Sequence, residues 1–202
     1  MGLITGLIPP MTGAQIREGI KDLAAAFNRE CMTGLKDPGI DMSIWEAYQD
    51  VLADGHLSVR VFALWSGGRS LAASRTLIER VGNFTKPYVS TGDDRLISGG
   101  VKLFADGSGG ARTAWMYQDW NKNSTDVDTG NRGYPAVDPK MLRQQILEFH
   151  EAGFHVSVLS VGDRTIDWVV DAVCVGAQGP PHLREAPRNH SRPTFPPTTR
   201  ST

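Results

Sequence analysis

The chain has 202 residues, 40% hydrophobic and 21% charged, with a formal net charge of −1. That length permits one large domain or one and a half small ones, and the composition is ordinary for a soluble globular protein. Near-neutral charge, with no Lys/Arg stripe between aromatics, excludes a nucleic-acid or anionic-membrane binder.

Thr12 can cap a helix over 12–30, where Ile16, Ile20, Leu23, Ala24 and Phe27 recur on one face. "CMTGLKDPG" reads as a short strand ending in a Pro-Gly turn, and "DMSIWEAYQDVLADG" as a helix from Asp41 to Gly55. "HLSVRVFALW", 56–65, is a strand apolar on both faces, which is the pattern of a parallel sheet. The pattern then repeats: a helix over 70–82, a strand "GVKLFAD" over 100–106, a helix over 138–153 and a strand over 154–162. Asp163 caps a last helix whose predicted face is Ile166, Val169, Val170 and Val173. Four strands each precede a helix, so the fold class is α/β with a parallel sheet. On this pattern a doubly wound sheet and about half of a (β/α)8 barrel, whose complete form needs ~250 residues, both stay open.

Two segments break the rhythm. Residues 106–137 form a long loop holding Trp115, Tyr117, Trp120 and Tyr134. It follows a strand and so lies at the carboxyl ends, where α/β proteins keep their chemistry. The Pro/Arg-rich segment 176–202 has almost no apolar residues and is expected to be disordered. The division is therefore 1–175, a folded domain, and 176–202, a tail. Cys31 and Cys174 fit no metal spacing and predict a reducing compartment, both as small buried groups. No apolar run approaches the ~20 residues that span a bilayer, and "MGLITGLIPPMTG" lacks a positive n-region, so the expected location is cytoplasmic.

The chemistry-bearing candidates are few. His56, His150, His155, His182 and His190 form no His-x-His or Cys/His cluster, and "GSGG", 107–110, lacks the order of a phosphate loop. Lys102 stands out as a cation inside an apolar strand, costly there unless something compensates it. From spacing alone its partner is Asp106 or a carboxylate on a neighbouring strand.

"GVKLFADGSGGARTAWM" resembles a hallmark of the amidohydrolase superfamily, in the group with N-substituted formamide deformylase-like hydrolases: Val-Lys-hydrophobic-Phe-x-Asp-Gly-Ser, then Arg-Thr-Ala. "FHVSVLSVGDRTIDWVVDA" resembles a second motif of that group, a strand ending His-Ala-hydrophobic-Gly-Asp-Arg-Ala and running into a helix. The resemblance covers about residues 1–175. It implies a partial (β/α)8 TIM-type barrel of about four βα units, from a family of metal-dependent hydrolases of carbon–nitrogen bonds. It implies a divalent metal, commonly zinc, and places Lys102 at the strand lysine that takes up CO2 and bridges two metals. It also implies departures: no His-x-His occurs, the second motif's ligand histidine falls on Leu159, and the catalytic aspartate of the closing strand has no counterpart. The expectation is thus an internal piece of an amidohydrolase barrel, acting on a small-molecule amide but inactive or weakly active as this chain. Its competitor is a non-catalytic α/β binding or assembly module of the same descent. Open sheet edges predict self-association.

Overall fold

A computed structural model describes residue 7 and residues 9–85, 94–121 and 129–177, with side chains to residue 174. The expected tail lies outside the described residues from 178 onward. The elements are α1 (Gly13–Arg29), β1 (Gly34–Ile40), α2 (Met42–Ala53), β2 (Arg60–Ser66), α3 (Leu71–Val81), β3 (Leu96–Phe104), α4 (Pro139–Glu151), β4 (Val156–Leu159) and α5 (Asp163–Ala177). Four helices start as their sequences dictate. Thr12 closes a capping box with Gln15, and Asp41, Ser70 and Asp138 each accept a bond from the third helical N–H.

The sheet order is β1-β2-β3-β4, and all three pairings are parallel. A doubly wound sheet reverses its strand order at a switch point. This order never reverses, so the strands form an arc of a (β/α)8 barrel. Alternation sorts its two faces. Val61, Ala63 and Trp65 of β2 join Val101 and Leu103 of β3, each no more than 2% exposed, in one core with buried residues from all five helices. Trp65 donates its indole N–H to Ser98 and Thr85, so the largest core side chain leaves no buried donor unpaired. The other face carries Lys36, Phe62, Lys102, Phe104 and His155, all half-buried or exposed.

Several expectations need correction. β1 does not stop at its Pro-Gly pair but runs to Ile40; it is the edge strand, where a proline removes no ladder bond. β2 begins at Arg60, because Leu57 and Val59 enter the core before the ladder forms. β3 begins four residues earlier than predicted, at Leu96. α5 buries Thr165 and Ala172 with Trp168 and Val169 partly covered, leaving Ile166, Val170 and Val173 exposed. Of the predicted face, Val169 packs against the core while Ile166, Val170 and Val173 face outward. Cys31 and Cys174 are exposed free thiols rather than buried groups. Among the described residues no helix is long and apolar enough to cross a membrane.

Candidate functional site

Lys102 projects from β3 onto the open face, level with Ser66 of β2 and Ser157 of β4. It is half-buried, and its Nζ lies 5.4 Å from the centroid of the Phe104 ring. Among the described residues it forms no ion pair. The expected pairing with Asp106 does not occur, because Asp106, 3% exposed, is fully engaged elsewhere. Its Oδ1 accepts from the Val161 N–H at 3.1 Å. Its Oδ2 accepts from the Gly162 N–H at 2.8 Å, the Trp115 N–H at 3.0 Å and the Thr165 hydroxyl at 2.7 Å. A buried carboxylate with four donors needs no ammonium partner.

Asp106 thereby ties three segments together at the carboxyl ends of the strands: the end of β3, the aromatic loop and the β4–α5 turn. Other motif residues complete the clasp. Asp163 accepts the Tyr117 N–H at 3.0 Å, and the Arg164 guanidinium lies 4.3 Å from the Trp115 ring centroid. The Tyr117 hydroxyl donates to Asp167 at 3.0 Å, which raises the phenol above its ordinary pKa. Gly162 has no alternative, since a Cβ there would overlap the Trp115 carbonyl. The aromatic loop is also bonded to itself: Met116 N–H to the Arg132 carbonyl at 2.8 Å, and the Trp120 indole to the Ala114 carbonyl at 2.8 Å. Many residues of the two motifs build this scaffold, while Lys102, Phe104 and His155 stand on the open face.

A metal centre needs several donors on one patch. Around Lys102 the neighbours in register are Ser66 and Ser157, and Leu159 pairs with Phe104 beyond them. His155 shares the face but sits two residues before Ser157, nearer the amino ends, where its ring meets Phe62 edge-on at 6.2 Å. Among the described residues no group of three His, Cys, Asp or Glu converges. His182 and His190 lie outside the described residues. The described donors around Lys102 therefore do not by themselves fit a divalent metal.

A hollow lies at the other end of the strands. About 870 Å3 opens on the concave face, bordered by Lys36, Arg60, Phe62, Ile97, Phe154 and His155. Further along β3 there is a bulge, where the register with β2 slips between Ala63↔Ser98 and Leu64↔Gly100. Two successive glycines, Gly99 and Gly100, stand at the slip. A Cβ on Gly99 would overlap the Phe62 ring, and one on Gly100 (φ +150°) would overlap the His155 carbonyl. The pair "SGG" inside a strand is the sequence signal that reading by hydrophobic period passes over.

A parallel arc in sequential order, with helices on one side and motif residues at the carboxyl ends, defines part of a (β/α)8 barrel. The chain belongs to the Amidohydrolase family, which its sequence matches over residues 1–186. It is 32% identical over 77 residues to Protein LONG AFTER FAR-RED 3 of Arabidopsis thaliana, covering 38% of this chain and 12% of that protein. Two crystal structures share the fold. An uncharacterized metal-dependent hydrolase from Pyrococcus horikoshii OT3 superposes with a TM-score of 0.67 at 22% identity, covering 82% of this chain and 31% of the other. One from Pyrococcus furiosus superposes with a TM-score of 0.68 at 21% identity, covering 83% and 32%. The chain thus spans about a third of the length of these structures and an eighth of the plant protein's.

Proposed function

We propose that this chain is part of the wall of a metal-dependent hydrolase acting on carbon–nitrogen bonds other than peptide bonds, in the N-substituted formamide deformylase-like group. Family membership and the names of the two archaeal relatives support the reaction class. The observation that carries the reading is Lys102, an ammonium on the open face of β3 that no described carboxylate pairs with; its motif resembles the one that carries the family's carboxylated lysine. The substrate class is a small amide or formamide, the family metal zinc and the compartment the cytoplasm.

Among the described residues no group of three His, Cys, Asp or Glu stands with Lys102 to complete a metal site. By itself, therefore, the 202-residue chain is inactive toward amides. The same shortage favours a second role for the chain alone, as a non-catalytic binding module.

Two measurements test this. The purified chain, equilibrated with zinc and bicarbonate, is expected to retain well under one ion and to show no turnover of an N-substituted formamide above the Lys102→Ala variant. Retention of about two ions, with turnover lost in Lys102→Ala, overturns the inactivity. Sequencing the coding region on both sides of this frame tests the larger reading. An upstream His-x-His and a downstream strand-end aspartate are expected, and the absence of both overturns it.

A further inference from the structure

We propose that Lys36 is an interior cation of the closed barrel, and that the strands completing the barrel set a carboxylate, Asp or Glu, against it. This rests on the reading of the chain as part of a barrel wall, and not on the chemistry of Lys102.

Alternation along β1 places the lysine. Asp37 turns toward the helices, where it accepts the Tyr48 hydroxyl at 2.8 Å, so Lys36 stands on the opposite face. It is in register with Phe62 of β2, which is level with Ile97 of β3, and its Nζ lies 5.3 Å from the Phe62 ring centroid. In the 202-residue chain this face is open and Lys36 is exposed. In a (β/α)8 barrel the same face is the interior, filled by layers of side chains. The hollow bordered by Lys36, Phe62, Ile97, Phe154 and His155 is therefore room for the closing strands. The chain spans about a third of each archaeal structure that shares its fold.

Closure changes what Lys36 needs. An ammonium enclosed among apolar side chains is costly unless opposite charge and hydrogen bonds compensate it. The Phe62 ring compensates only a small part. The described residues offer no more. Lys36 makes no ion pair among them, although Asp94 borders the same hollow. Each interior layer of an eight-stranded barrel draws on alternate strands, which joins β1 to β3 and to two strands beyond this arc. β3, Leu96–Phe104, contains no acid, so the carboxylate has to come from the closing strands. Arg60 is a different case. It pairs with Gly34, two residues nearer the amino end than Lys36, and opens β2, where a long side chain can keep its charge in water.

The test starts with the coding sequence on both sides of this frame. Further βα segments are expected, with an Asp or Glu at an inward position of a closing strand. Closing strands without such an acid overturn the proposal and leave the barrel reading standing; absence of the strands overturns both. In the protein so encoded, urea unfolding then compares Lys36→Met, the facing acid changed to Leu, and the two together. Each single change is expected to raise the unfolded-to-folded ratio about a hundredfold, and the double to fall short of their product by at least about tenfold. If a single variant does not fold, a folded double supports the pairing and an unfolded double overturns it. Effects that simply multiply overturn it too. In the 202-residue chain, Lys36→Met is expected to leave the urea midpoint unchanged, because water reaches the ammonium there. A loss as large as in the complete protein assigns the role to the Phe62 contact and also overturns the proposal.

Discussion

The two ends of this barrel wall are built on different physical principles. At the carboxyl ends, polar bonding dominates: one buried carboxylate, Asp106, holds three segments through four donors, with Arg164 packed on Trp115 above it. Toward the amino ends, shape dominates: two glycines in a bulge admit the Phe62 ring and the His155 carbonyl where a Cβ would overlap them. The contrast teaches that a motif rich in functional residue types can be mostly architecture. A plain "SGG", with no chemistry of its own, makes room for the Phe62 ring against the neighbouring strand.

Breaking the comparison at its strongest point should cost the most. Asp106→Ala removes all four bonds and strands buried N–H groups, and is expected to destabilise the chain by about 4 kcal/mol in urea denaturation. Asp106→Asn should recover less than half, because an amide has one acceptor oxygen and would set its NH2 against a backbone N–H. A loss under about 1 kcal/mol for Asp106→Ala would show that the clasp is incidental. Next comes Gly99→Val, whose side chain would overlap the Phe62 ring and should cost about 2 kcal/mol.

Arg164→Ala removes only a partly exposed cation–aromatic contact and is expected to cost about 0.5–1 kcal/mol. The smallest effect sharpens the comparison from outside both ends. Arg75 on α3 makes a two-point contact with Glu148 on α4, at 3.0 and 2.7 Å, and Arg75 is largely exposed. Arg75→Ala should lower the melting temperature by only about 1 °C. That contribution has a pH signature. The bond from Arg75 holds the Glu148 carboxyl below its usual value of 4.5, so the pair stabilises above that value and the benefit fades as pH falls below it. Wild type and Arg75→Ala should therefore converge in acid, and a constant gap across that range would contradict the pairing.

Much of this was legible without coordinates. Thr12, Asp41, Ser70 and Asp138 mark helix starts because a short acceptor side chain there meets an orphan N–H locally. Strand and helix alternate because hydrophobic period is a local property. The last helix resisted this reading for the same reason. Ile166, Val170 and Val173 form a correct helical stripe, yet burial depends on what stands opposite, and Thr165 and Ala172 have the core contacts. The cysteines failed likewise: a free thiol is usually buried, but Cys31 sits in a turn after α1 and Cys174 on the outer side of α5.

The sequence by itself determined the number and order of βα units, the capped helices, the family, and Lys102 as the residue to follow, because these depend on neighbours within a few positions or on ordered motifs. Tertiary structure alone decided that the sheet runs without reversal and that Asp106 serves the loops rather than Lys102. It alone decided that His155 stands with Phe62 instead of beside Lys102. Those outcomes depend on register between strands and on which donors reach a carboxylate from 55 or more residues away, as Val161, Gly162 and Thr165 do at Asp106. No local pattern encodes such distances.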